Sequence, residues 1–86
     1  MSKKLYIGNV PYRASDSELQ ELFGEVGPVV SATIVKDKMT GRSRGFAFVE
    51  METESDAQSA ISKFNGYDFN GRPLIVSEAK PKMGEG

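Results

Sequence analysis

The residues with the clearest chemical potential in this 86-residue chain are three aromatics and a group of bases. Phe46 and Phe48 lie two apart in Arg44-Gly45-Phe46-Ala47-Phe48-Val49-Glu50-Met51, and Tyr6 lies in Lys4-Leu5-Tyr6-Ile7-Gly8. In a strand, side chains alternate between faces, so Phe46, Phe48 and Glu50 share one side while Ala47, Val49 and Met51 share the other. The second set is an ordinary core face. The first carries two phenylalanines and needs a cover, either another layer of protein or a ligand with flat apolar surfaces. Lys36, Lys38, Arg42 and Arg44, against Asp37 alone, give the segment leading into this stretch a local charge of +3.

Other chemistries are excluded by residue type. The chain has neither cysteine nor histidine, which removes disulfides, thiolate and imidazole metal sites, and imidazole acid–base catalysis. A small hydrolase would need a nucleophile or a positioned water in an anion-binding loop, and no glycine-rich phosphate cradle follows a strand. No cofactor or small-molecule substrate is expected. Lys3 and Lys4 could begin an export signal, but the apolar run after them stops at Asn9, Pro11 and Arg13, short of the roughly 7 to 15 residues required. Nothing approaches a membrane span, and the chain reads as soluble and intracellular. Its net charge of -1 and pI near 5.4 argue weakly against a polyanionic partner. The distribution argues otherwise. Asp16, Glu18, Glu21 and Glu25 fall in one segment and Glu50, Glu52, Glu54 and Asp56 in another, whereas Lys80 and Lys82 make the C-terminus basic. An average near zero hides two surfaces of opposite sign.

The elements that must position these residues follow from periodicity. Lys4 to Gly8 alternates, with Leu5 and Ile7 on one side and Lys4 and Tyr6 on the other, which predicts a strand; Asn9 to Ala14, with Pro11, is a connection. Ser15 with Glu18 forms a capping box, Leu19, Leu22, Phe23 and Val26 then recur at helical spacing, and Gly24 and Gly27-Pro28 close that helix. Val29 to Lys36 is rich in β-branched residues and predicts a second strand, ended by Asp37 to Ser43 with Gly41 as the turn residue. Arg44 to Met51 is the third. Thr53 with Asp56 repeats the capping-box pattern, Ala57, Ala60, Ile61 and Phe64 make the stripe of a second helix, and Asn65-Gly66 ends it. Asn70-Gly71 predicts a small hairpin, and Leu74 to Ser77 the last strand. The order is βαββαβ, with one domain over residues 3–80 and a disordered tail at 81–86.

Two helices with one apolar stripe each cover only one face of a four-stranded sheet. Parity assigns Leu5, Ile7, Ala47, Val49, Met51, Leu74 and Val76 to the helix side, so Tyr6, Phe46, Phe48 and Ile75 look outward together. The expectation is a two-layer α+β sandwich with an aromatic outer face.

These features resemble the RNA recognition motif, a ferredoxin-like βαββαβ domain with a four-stranded antiparallel sheet and two helices on one face. The family's octapeptide, basic-Gly-aromatic-Gly/Ala-Phe-Val-x-aromatic, is met at seven of eight positions by Arg44 to Met51. The hexapeptide of its first strand is similar to Leu5-Tyr6-Ile7-Gly8-Asn9-Val10, and the likeness spans about residues 4–80. It implies that Tyr6 and Phe48 each stack on a base, that Phe46 lies against sugars, and that Arg44 pairs with a phosphate. Met51 departs from the pattern, but parity turns it inward. Ending soon after the last strand, the chain resembles the small single-domain members of bacteria and organelles, although an excised fragment would look similar. The expected location is the cytoplasm of a bacterium, or the nucleus or an organelle of a eukaryote.

Further candidates surround the rings. Lys4, Lys36, Lys38, Arg42 and Lys80 are bases available to phosphates or to solvent. Glu50 shares the outer face, where it either accepts from a base amino group or discourages edge association. Ile75 and Ser77 flank the platform on the last strand; Thr33 and Val35 do so on the second, unless a bulge flips that pair. Asn9 hydrogen-bonds a base or caps its own turn. Tyr12, Arg13 and Arg72 read as surface residues. The expected function is a monomeric module holding about two to four nucleotides of single-stranded RNA without catalysis; single-stranded DNA is also compatible with a stacking platform. The rival is a protein-interaction domain using the same aromatic face, a reading that gives the bases no task.

Overall fold

The computed structural model describes residues 3–79. The expected tail, and Lys80 with it, lie outside the described residues. Strands β1 (Lys4–Gly8), β2 (Val29–Lys36), β3 (Ser43–Met51) and β6 (Ile75–Glu78) form one antiparallel sheet in the order β2-β3-β1-β6. A separate two-stranded hairpin, β4 (Asp68–Phe69) with β5 (Arg72–Pro73), precedes β6. Its Asn70 and Gly71 both have positive φ, 53° and 87°, the mirror-image turn that an Asn-Gly pair favours. The aromatic-bearing strands β1 and β3 are the central pair, with Tyr6 opposite Phe48 and Gly8 opposite Phe46. Both are laddered on two sides, which holds their side chains in place.

Helices α1 (Asp16–Phe23) and α2 (Glu54–Phe64) lie on one face of this sheet. Leu19, Leu22 and Phe23 from the first helix, with Ala57, Ala60 and Phe64 from the second, are buried against Leu5, Ile7, Ala47, Val49, Met51, Leu74 and Val76. The parity assignment of the helix side is the observed one, and Met51 is wholly buried. Phe23 and Phe64 meet at a ring-centroid separation of 4.8 Å, joining the two helices over the sheet.

The first helix begins with the expected reciprocal cap: the Glu18 N–H donates to Ser15 Oγ at 3.2 Å, and the Ser15 N–H to Glu18 Oε1 at 2.9 Å. The second has only half of it. Thr53 Oγ1 accepts from the Asp56 N–H, but the Asp56 carboxylate lies against Gly27 instead of returning to the Thr53 N–H. Aspartate is one methylene shorter than the glutamate that usually closes a capping box. Both edge strands have an N–H covered by a side chain, Ile34 donating to Asp16 Oδ1 at 2.8 Å and Val76 to Asn65 Oδ1 at 3.1 Å. Such contacts blunt edge pairing.

The β2–β3 register shifts between Val29 and Ser31 and again between Ile34 and Lys36. The second shift is a bulge at Gly45, whose φ of 89° lies in the left-handed region, where an L side chain is strained. Thr33 stays opposite Phe48 between the two shifts, so the outward position expected for it is kept. Val35 falls at the second shift and is half-buried.

Candidate nucleic-acid interface

On the face away from the helices, Tyr6, Phe46 and Phe48 form a triangle with centroid separations of 5.8, 6.0 and 6.1 Å. All three are half-buried. Tyr6 and Phe46 are inclined by 32°, whereas Phe46 and Phe48 stand at 87°. Flat groups laid on Tyr6 and on Phe48 therefore do not lie parallel, a geometry suited to a strand whose bases are splayed apart. The Lys4 ammonium lies 5.0 Å from the Phe48 centroid, which brings a positive charge onto the platform.

Gly8 makes the packing of Tyr6 possible. A Cβ at this position would come 3.1 Å from Tyr6 Cε2 and 3.2 Å from its hydroxyl oxygen. The phenol thus folds over bare backbone on the outer face, where any side chain would press on it.

The basic segment between β2 and β3 is ordered by its one acid. Asp37 Oδ1 accepts from the N–H groups of Met39 at 2.7 Å and Thr40 at 3.3 Å. These bonds, with a lesser contribution from the nearby Arg44 charge and against slight desolvation, hold the Asp37 carboxyl below its ordinary value. The carboxylate is thereby committed to its own turn, and Lys36, Arg42 and Arg44 stand exposed around it. The Gly45 N–H donates to Ser43 Oγ, and Gly45 O accepts from the Val10 N–H at 2.9 Å, so the bulge ties this segment to the loop after β1.

The structure brings most of the expected residues to one face. Ser77 lies opposite Tyr6 and is exposed; Ile75 lies opposite Gly8 and is 54% exposed. Glu50 lies opposite both Lys4 and Ser31, beside the rings. Arg44 is set apart from Phe46 by the bulge, so simple alternation does not carry across to it. Asn9 bonds a residue distant in the chain and does not cap its own turn. With φ at 57°, it donates from Nδ2 to Pro73 O at 2.9 Å, anchoring the hairpin to the end of β1. Two residues passed over by pattern also border the platform: Gly8, and Tyr12, whose Cε1 would lie 3.7 Å from a Cβ at Gly45. An aromatic residue in a polar connection was the available signal for Tyr12.

No helix among the described residues is long and apolar enough to cross a membrane, and they contain no cluster of potential metal ligands. The sequence model of the RNA recognition motif matches residues 5–75. The chloroplastic RNA-binding protein CP29B of Arabidopsis thaliana is 44% identical over 78 residues, which are 91% of this chain and 27% of that protein. The chain thus spans about a quarter of the length of this curated relative. Among solved structures, the RNA-binding protein PG1 is 48% identical with a TM-score of 0.87, covering 93% of this chain and 99% of that one. The Rna15 RNA recognition motif with bound RNA (GU) is 32% identical with a TM-score of 0.84, covering 94% of this chain and 86% of that one. With the sheet order, the helices on one face and both signature strands in place, this chain belongs to the RNA recognition motif family.

Proposed function

We propose that the chain binds single-stranded RNA, holding about two to four nucleotides across its open sheet face. Bases stack on Tyr6 and Phe48, a sugar lies against Phe46, and phosphates pair with Arg44, Lys36 and Arg42, with Lys4 at the edge of the platform. Ile75 and Ser77 flank the strand, Glu50 accepts from a base amino group, and Lys80, outside the described residues, is a further base for phosphates. The observation that carries this reading is the triangle of three rings on the two central strands, left uncovered because both helices pack on the other face.

Magnitudes order the contributions. A base stacked on an aromatic side chain contributes roughly 1 to 3 kcal/mol, so two contribute about 2 to 6 kcal/mol. Each phosphate neutralised on a single strand adds a salt-dependent contribution with a slope of about 0.7 log unit. Stacking dominates, and the acids of α1 and α2 lie on the far side of the sheet. The reading includes no catalytic step and takes the bound species to be a monomer. Single-stranded DNA is a second substrate compatible with stacking, since π-faces are common to both nucleic acids. The chloroplastic relative favours the organellar location.

Titration of a short random-sequence RNA pool tests this. Binding that weakens with salt and falls roughly 5- to 150-fold in Phe48→Ala, the equivalent of one stacked base, supports it. Absence of binding even at low salt, or a Phe48→Ala variant that binds like wild type, sinks it and favours a protein partner on the same face.

A further inference from the structure

We infer that the cleft between Tyr12 and Arg72, off the end of the sheet, is a second nucleotide position in which a base of the same RNA strand inserts between the tyrosine ring and the guanidinium. This rests on the RNA-binding reading above and extends it to a place that the signature strands do not reach.

Tyr12 is 66% exposed and belongs to no core cluster. Its Cε1 would lie 3.7 Å from a Cβ at Gly45, the residue before Phe46, which puts the ring beside the end of the platform strand β3. The guanidinium carbon of Arg72 lies 5.6 Å from the ring centroid. A closed stack brings carbon atoms to about 3.5–4.0 Å, and a flat base between two partners needs roughly twice 3.5 Å. The two groups are therefore in cation–π contact, and a base enters by displacing the guanidinium from the ring. The flexible arginine stem swings aside to admit a base, which would gain stacking on one side and a guanidinium plane on the other.

Both jaws are held by bonds outside the cleft. The Val10 N–H bonds to Gly45 O at 2.9 Å and the Ala14 N–H to Pro11 O at 3.0 Å, which fixes the loop carrying Tyr12. The Asn70-Gly71 turn and the bond from Asn9 Nδ2 to Pro73 O fix the hairpin carrying Arg72. With both backbones fixed, less ordering entropy is lost on binding.

The surroundings suit a polyanion. The cleft, of about 400 Å³, is lined by Pro11, Tyr12, Arg13, Asn70 and Arg72. On the other side of Tyr12 and Arg13 a larger hollow of about 1040 Å³ reaches Lys36 and Arg42. Neither lining contains a carboxylate, so a phosphodiester chain leaving the platform passes between positive groups on both sides of Tyr12. The Asn70 amide in the cleft offers both a donor and an acceptor to a base edge.

The test compares random-sequence tetranucleotide and octanucleotide RNA pools, the shorter filling the sheet and the longer reaching past it. Tyr12→Ala and Arg72→Ala should each weaken octanucleotide binding roughly 5- to 150-fold, the equivalent of one stacked base, and leave tetranucleotide binding as in wild type. Tyr12→Phe should retain octanucleotide binding, because the stack does not use the hydroxyl. The double variant should be no weaker than the worse single, since both groups hold one base. Unchanged octanucleotide affinity in both alanine variants overturns the proposal and leaves the pair as a tether between loop and hairpin. Equal losses for both pools overturn it too, because Tyr12 then acts through the sheet. Failure of wild type to bind either pool is the separate failure of the RNA-binding reading.

Discussion

On the helix side of β1 and β3, Leu5, Ile7, Ala47, Val49 and Met51 are wholly buried. One residue along each strand, Lys4, Tyr6, Phe46, Phe48 and Glu50 are exposed or half-buried. The two sets share one backbone and one hydrogen-bond ladder, and they differ only in the direction that the pleat gives their side chains. Folding therefore selects the inner set, where filling the space against the helices decides which residues fit. The outer set answers to whatever ligand covers it. A slip of one residue in either strand would exchange the two faces, so the buried aliphatics also keep the rings pointing outward.

The largest effect expected from breaking this division is on the inner face. Ile7→Ala empties a fully buried position on a central strand and should cost about 2 to 5 kcal/mol in denaturant unfolding. RNA affinity should be retained by the fraction that remains folded. The paired test crosses neighbours on β3. Phe48→Ala should lower RNA affinity by about 1 to 3 kcal/mol with little change in the unfolding midpoint, while Val49→Ala should cost about 1 to 3 kcal/mol of stability with little change in affinity. The opposite result in that pair would mean that the faces are reversed.

A smaller effect sharpens the comparison at its edge. Arg42→Ala changes neither face of the sheet. If Arg42 neutralises one phosphate, the slope of log affinity against log salt should become shallower by about 0.7. An unchanged slope would leave Arg42 as a solvated loop residue.

Much of this division was legible in the sequence because alternation and helical spacing are local properties. Leu5 and Ile7 against Tyr6, Ala47 and Val49 against Phe46 and Phe48, and the caps at Ser15 and Thr53 all follow from residues within a few positions of each other. What pattern does not carry are bonds between segments distant in the chain. Asp16 bonding Ile34, Asn65 bonding Val76, and Asn9 bonding Pro73 are side chains that look like local cap or turn formers but serve tertiary partners. The bulge at Gly45 is similarly hidden, because one glycine in an apolar run is also compatible with a regular strand. It separates Arg44 from the alternation that places Phe46, and it creates the seat beside Tyr12. The core and the ring triangle could be read from spacing alone. The Tyr12 and Arg72 pair could not, since 60 positions separate its members and neither belongs to a periodic run.

Gly8 gives the most discriminating prediction, because there the two faces should respond with opposite sign. Its side-chain position points outward, where a Cβ would lie 3.1 Å from the Tyr6 ring and 3.4 Å from Ile75 Cβ. Its φ is not among the positive values, so the backbone accepts alanine without strain. On the inner face Gly8→Ala alters nothing, and the loss of freedom in the unfolded chain should leave stability unchanged or raise it by about 0.4 to 1 kcal/mol. On the outer face the tyrosine ring must move by a few tenths of an ångström to relieve the contact. RNA affinity should then fall, but by less than the roughly 1 to 3 kcal/mol lost when a stacking ring is removed altogether. A variant more stable than wild type and weaker in binding would show that the ring's seat, and not the fold, had been disturbed. If Gly8→Ala instead loses stability and affinity together, the outer face is part of what holds the sheet, and the division between the faces fails at the centre of the platform.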